Sequence, residues 1–176
     1  PKLRGREQLE WFERLEQEIE NFRAALAWSL GQTNRGSAEP AMRLAGALMW
    51  FWTMRGYWDE GRTWLERSLE NRAITPARAK PLVGLALIEY LMGLRARCGA
   101  LFTESLALSR QHGDKWSIAN AVSFCAGGEG DPAKARALFE EAREIARELK
   151  DEWLAAATDI RQGIHARERG ESSLAW

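Results

Sequence analysis

The chain has 176 residues with 25 Lys plus Arg against 25 Asp plus Glu, a length that suits one ordinary domain or one short helical array. Zero net charge gives no chain-wide basic field for nucleic acid. Two cysteines, Cys98 and Cys125, without CxxC spacing or a neighbouring histidine, read as reduced thiols of a cytoplasmic protein rather than a disulfide frame or zinc site. No apolar run reaches the ~20 residues that a membrane span needs, and no charged-then-apolar leader is expected.

Residues 6–30 are predicted to form one long amphipathic helix. Leu9, Phe12, Leu15, Ile19, Phe22, Leu26 and Leu30 recur every three or four positions, and Gly31 supplies a stop. After a polar turn, Ser37 is a candidate cap for a helix from Ala38 to about Arg55, with Pro40 tolerated in its first turn. Gly56 ends it, and a helix from about Trp58 to Asn71 follows. Thr75-Pro76 is a cap with proline at the first helical position. Pro81, five residues on, means that the helix running to Met92 either begins there or is kinked there. Further helices are predicted from about Arg95 to His112, Lys115 to Ala126, Pro132 to Lys150 and Glu152 to Arg169, with Asp131-Pro132 as a cap. The Lys115 helix is read as about one turn short.

Much of this is written twice. Gly93–Trp116 laid over Gly130–Trp153, a shift of 37, is identical at nine of 24 positions: Gly93, Ala96, Ala100, Leu101, Phe102, Glu104, Arg110, Asp114 and Trp116. The same shift backwards reaches Gly56 and puts Trp64-Leu65 under Leu101-Phe102 and Ser68 under Ser105. A period of this size marks stacked units, each too small to bury its own apolar face. Five residues after each turn glycine comes a small residue (Gly61, Cys98, Ala135). A bulky one follows four later (Leu65, Phe102, Phe139), and another small one three beyond (Ser68, Ser105, Ala142). These positions share one helical face.

This small–bulky–small pattern after a glycine turn resembles the second helix of the tetratricopeptide (TPR) repeat over roughly residues 40–176. The spacing of 37 exceeds the family's usual unit of about 34, and Trp58, Arg95 and Pro132 replace its turn tyrosine. The resemblance implies an all-α fold, a right-handed solenoid of antiparallel helix pairs with about three and a half repeats after an N-terminal helix. The implied segments are 1–36 (helix and turn), 37–73, 74–113, 114–150 and a truncated 151–176. A narrower resemblance rests on Glu18-Ile19-Glu20-Asn21-Phe22-Arg23-Ala24-Ala25-Leu26-Ala27-Trp28, Leu44-Ala45-Gly46-Ala47-Leu48, Phe51-Trp52, Arg55-Gly56 and Glu60-Gly61-Arg62-Thr63-Trp64-Leu65-Glu66-Arg67. These words look like the region opening the TPR array of bacterial NB-ARC-like (STAND) ATPase regulators of the LuxR-type or adenylate-cyclase-linked kind. The ATPase would then lie upstream of Pro1, and the chain, which stops six residues past Gly170, reads as a piece of a longer protein.

The resemblance also implies a concave lining: Arg43, Trp50 and Thr53; Lys80, Val83, Leu87 and Tyr90; Asn120 and Phe124; then Ile160, Ile164 and Arg167 from the last helix. Such a mixed apolar and basic surface suits a peptide or amphipathic helix. Three consecutive aromatics, Trp50-Phe51-Trp52, sweep roughly 200° of a helix, so one neighbour cannot cover all three. Trp50 is therefore either core or the leading ligand anchor, with Arg43 two turns earlier to place charge beside its ring.

Against these stand plainer readings. Gly127-Gly128-Glu129-Gly130 lacks the GxxxxGK[ST] spacing and a preceding strand, so it reads as a helix–helix turn. His112 and His165 are isolated, without a second ligand or orienting group placed beside them. The Arg and Glu residues of 133–150 form a solvated face. The expected role is non-enzymatic and cofactor-free: protein interaction or signal sensing within a regulator, with no direct nucleic-acid or membrane contact. The alternatives are an inducer pocket in the concave face, or self-association through a C-terminal end where Leu154, Ile160 and Ile164 lack a covering helix.

Overall fold

A computed structural model describes residues 2–31, 38–71 and 74–170, and these are helical throughout, with no strand among them. The α-helices are α1 (Gln8–Gln17), α2 (Ile19–Gly31), α3 (Glu39–Arg55), α4 (Trp58–Leu69), α5 (Ala79–Leu91), α6 (Cys98–His112), α7 (Lys115–Gly127), α8 (Pro132–Glu148) and α9 (Glu152–Glu168). The expected cap Ser37 lies outside the described residues. The chain forms two compact units, Pro1–Leu101 and Phe102–Trp176, whose boundary falls within α6.

In the first unit, the predicted 6–30 helix is two helices, broken at Glu18, where ψ is 6° and the amide bonds back to Leu15 in a tighter turn. No Pro or Gly marks the break. The Glu18 carboxylate accepts from Asn21 Nδ2 at 2.6 Å, a local alternative to a straight run. α3 is the centre of this unit, contacting α1, α2, α4, α5 and the 3₁₀ turn Pro76–Arg78. Two Arg–carboxylate forks tie α1 and α2 to the rest. Arg23 reaches Glu60 of α4 at 2.7 and 2.5 Å, and Arg55 reaches Glu16 of α1 at 2.8 and 2.5 Å. Pro81 neither starts nor kinks α5. It is the third residue, inside the first turn, where amides have no intrahelical acceptor.

Backbones approach closely here. A Cβ on Gly61 would lie 2.7 Å from Trp52 Cβ, and one on Gly84 would lie 2.8 Å from Met49 Cβ. The residue types at these points are therefore dictated by the distance between α3 and its neighbours α4 and α5.

In the second unit, α7, α8 and α9 pack on one another. Their core holds Ala119, Ala146 and Leu154, with Trp116 and Trp153 against it. The repeated Asp-x-Trp word has a structural meaning at both sites. Asp114 accepts the Ser117 amide at 3.2 Å to cap α7, and Asp151 accepts the Leu154 amide at 3.0 Å to cap α9. Each word also closes the helix before it. The Asp114 amide donates to Ser109 O and the Asp151 amide to Ala146 O, both at 3.0 Å, a six-residue closure across a left-handed residue. That residue is Gly113 (φ 72°) in one copy and Lys150 (φ 53°) in the other.

All nine positions of the small–bulky–small pattern are buried, in α4, α6 and α8 alike. α7 has 13 residues and α9 has 17, so the predicted one-turn shortening of α7 is observed.

Candidate functional site

The residues proposed to line a groove divide by exposure. In the first unit Trp50 is only 8% exposed, and Thr53, Val83 and Leu87 are equally enclosed. The Thr53 hydroxyl donates to Met49 O at 2.7 Å, satisfying itself within its own helix. Trp50 as a solvent-facing anchor is thus corrected. α3 has neighbours on nearly every side, so a 200° aromatic sweep is covered by several helices instead of one. Arg43 is exposed but turns to Glu39 one turn back, not to the Trp50 ring. Lys80 is exposed, and Tyr90 is half-buried with the Arg95 guanidinium 4.6 Å from its ring centroid.

In the second unit Asn120 is buried, and its amide donates to Trp116 O at 3.0 Å, so it too serves the helix rather than a groove. Phe124 is half-buried and stacks on Phe102, with centroids 4.2 Å apart and planes within 8°. Arg161 of α9 stands 4.0 Å from the same centroid. Two groups so close to one ring cannot share a face, so Phe124 lies between them. Arg161 Nη1 donates to Ser123 Oγ at 2.6 Å, and that hydroxyl donates to Asn120 O at 3.0 Å. The result is a fixed cation–aromatic ledge. Sequence reasoning chose Ile160, Ile164 and Arg167 from α9 and missed Arg161. Ile160 is 63% exposed, Ile164 is half-buried and Arg167 is exposed.

A carboxylate is buried in the first unit as well: Glu89 of α5 is 2% exposed. One oxygen lies 3.1 Å from Arg97, which also reaches Glu66 of α4 at 3.0 Å; the other oxygen is buried with no hydrogen bond, as is Arg62 Nε. Burial raises the Glu89 pKa, and the Arg97 and Arg62 charges only oppose it in part. Burial also pushes both thiols up, at Cys98 with help from the Glu89 charge. Neither thiol resembles an activated nucleophile, which needs the opposite shift. Among the described residues no group of three or more His, Cys, Asp or Glu is placed to hold a metal ion. Among them too, no helix is long and apolar enough to cross a membrane.

The sequence is similar to curated proteins named "Putative HTH-type transcriptional regulator" from Mycobacterium bovis and from two strains of Mycobacterium tuberculosis. Each is 32% identical over 152 residues, covering 80% of this chain but 17% of the relative. The chain therefore spans about a sixth of the length of these relatives. No family model matches, and no solved structure matches. The likeness is to a stretch of proteins named as regulators.

Proposed function

We propose that this chain is a TPR-like array of antiparallel helix hairpins, a right-handed solenoid, acting as the non-enzymatic interaction or signal-sensing part of a larger cytoplasmic transcriptional regulator. The observation that carries this reading is the burial of all nine small–bulky–small positions at 37-residue steps in α4, α6 and α8. A face that repeats and is buried each time is what stacked hairpins require, since each repeat leans on its neighbours. The likeness to stretches of much longer HTH-type regulators supports the regulatory setting.

Binding rather than reaction is favoured by the chemistry of the titratable groups. The thiols are held in their protonated form, and Glu89 is locked against Arg97 in the core. Accessible contacts are offered by Tyr90 with Arg95 in the first unit and Phe124 with Arg161 in the second. Aromatic and arginine side chains of this kind are over-represented among residues that dominate interface energies. The helix-turn-helix of the parent, on this reading, lies in another part of it.

The test uses the full-length regulator with a reporter for its promoter. The double variant Phe124→Ala, Arg161→Ala is expected to lose the response to the inducing signal while operator binding stays within about twofold of the parent. Loss of operator binding itself, or tight binding of a random duplex by this chain alone, would refute the assignment.

A further inference from the structure

A small cavity sits between α8 and α9 in the second unit, with a volume of about 30 Å³ and Phe139 in its wall. That is space for two water-sized atoms at roughly 10–15 Å³ each. Three polar side chains line it: Arg136, Gln162 and His165. The lining contains no Asp or Glu.

Each of the three presents a donor or can do so. The Gln162 carbonyl oxygen is occupied by Arg143, which donates to it at 2.6 Å, so what remains of its amide is the N–H₂ group. Arg136 has only donors, and no carboxylate pairs with it among the described residues. His165 Nε2 is buried and has no hydrogen-bond partner, although the ring is otherwise placed against Phe139 at 5.9 Å. A buried ring nitrogen left unsatisfied is costly, and it calls for a partner. The acids nearby are committed elsewhere: Asp131, next to Pro132 of the lining, accepts the amides of Ala133 and Lys134, while Glu140 and Asp159 accept from Arg143.

A hole for two water-sized atoms, walled by one ring and three potential donors, suits an acceptor-only group. We propose that this cavity is a receptor for a single carboxylate, whose two oxygens take the two positions and are held by Arg136 from the rim, His165 Nε2 from within and the Gln162 amide. Arginine matches the planar, two-oxygen geometry of a carboxylate. The group comes either from a small carboxylic acid or from an acidic side chain of a polypeptide. This site is independent of the Phe124 ledge and of the regulatory reading, and it stands or falls alone.

The chain has only two histidines, His112 and His165, so imidazole NMR resolves the question, with exposed His112 as the internal control. Sodium acetate and the blocked tripeptide Gly-Glu-Gly are the probes, with sodium chloride at matched ionic strength as the control. The expected result is a saturable shift of the His165 ring signals with acetate, none at His112, and at least tenfold weaker binding in Arg136→Ala. Tighter binding of the tripeptide than of acetate assigns the site to polypeptide carboxylates; equal or weaker binding assigns it to small acids. Circular dichroism and melting of Arg136→Ala must match the parent, and Arg136→Lys should recover part of the affinity if charge and not packing is responsible. Absence of a saturable His165 shift, the same shift with chloride, or unchanged affinity in Arg136→Ala would each overturn the proposal, leaving the cavity to water.

Discussion

Gly61 tests the geometry on which the repeat pattern depends. An added Cβ would lie 2.7 Å from Trp52 Cβ and 2.9 Å from Ile88 Cδ1. The Trp52 contact is at the root of a side chain, so rotamer change cannot relieve it. α4 must move away from α3, and the fully buried neighbours around Trp52 and Leu65 must follow. Overpacking of a tight core costs about 1–3 kcal/mol. Replacing glycine with alanine inside a helix returns about 0.8–1 kcal/mol through propensity. The two combine to a net loss of up to about 2 kcal/mol for Gly61→Ala. At about 2–4 °C per kcal/mol for a chain of this size, melting should fall by up to about 8 °C. Gly99 of α6 is the matched control, because a Cβ there meets nothing within 4 Å; Gly99→Ala should melt at or slightly above the parent. If Gly61→Ala were as stable as Gly99→Ala, the close approach of α3 and α4 would be wrong, and with it the reason for a small residue five positions after the turn.

Phe139→Ala removes a buried bulky residue of the repeat and should cost about 3–5 kcal/mol, read by urea unfolding. Lys150 occupies a left-handed conformation that Gly113 fills in the other copy; Lys150→Gly should therefore raise stability by about 0.5–1 kcal/mol, whereas Gly113→Ala should lower it by a similar amount. Glu89 has a raised pKa in the folded chain. Its favourable contribution is therefore complete below the unfolded carboxylate value near 4.3 and is lost as pH rises through the folded value. Glu89→Gln should gain stability relative to the parent between about pH 4 and pH 7 in paired denaturant melts; a relative loss over that interval would show that the Arg97 pairing outweighs burial.

How much of this was legible in the sequence depends on the kind of information each feature uses. Helix positions from Glu39 onward follow from apolar spacing, caps and glycine stops, all local signals. Asp131-Pro132, Asp114 and Asp151 cap where such residues should. The break at Glu18 carries no such signal. The apolar stripe of residues 6–30 continues through it, and the Arg55–Glu16 fork that holds α1 against α3 joins residues 39 apart. Pro81 was ambiguous because a first-turn proline cannot be told from a kink until the preceding turn is placed. The 3₁₀ turn Pro76–Arg78 supplies that placement.

The groove residues were less legible for a related reason. The helical angle of Trp50 relative to Trp52 is readable in the sequence, but an angle becomes an exposure only when the number of neighbouring helices is known. With one neighbour Trp50 would face solvent; with four it is core. The same logic governs Phe124 and Arg161. Periodicity names Phe124 as a position on α7, but it cannot name the residue of α9 that lies over its ring, because that choice depends on the relative rotation of two helices. A change of one residue, from Ile160 to Arg161, turns an apolar contact into a cation on an aromatic face. Within a hairpin array the buried register is fixed by the repeat itself, so it can be read in one dimension. The exposed register is fixed by pairs of helices, so the surface that binds a partner is the part a sequence states least directly.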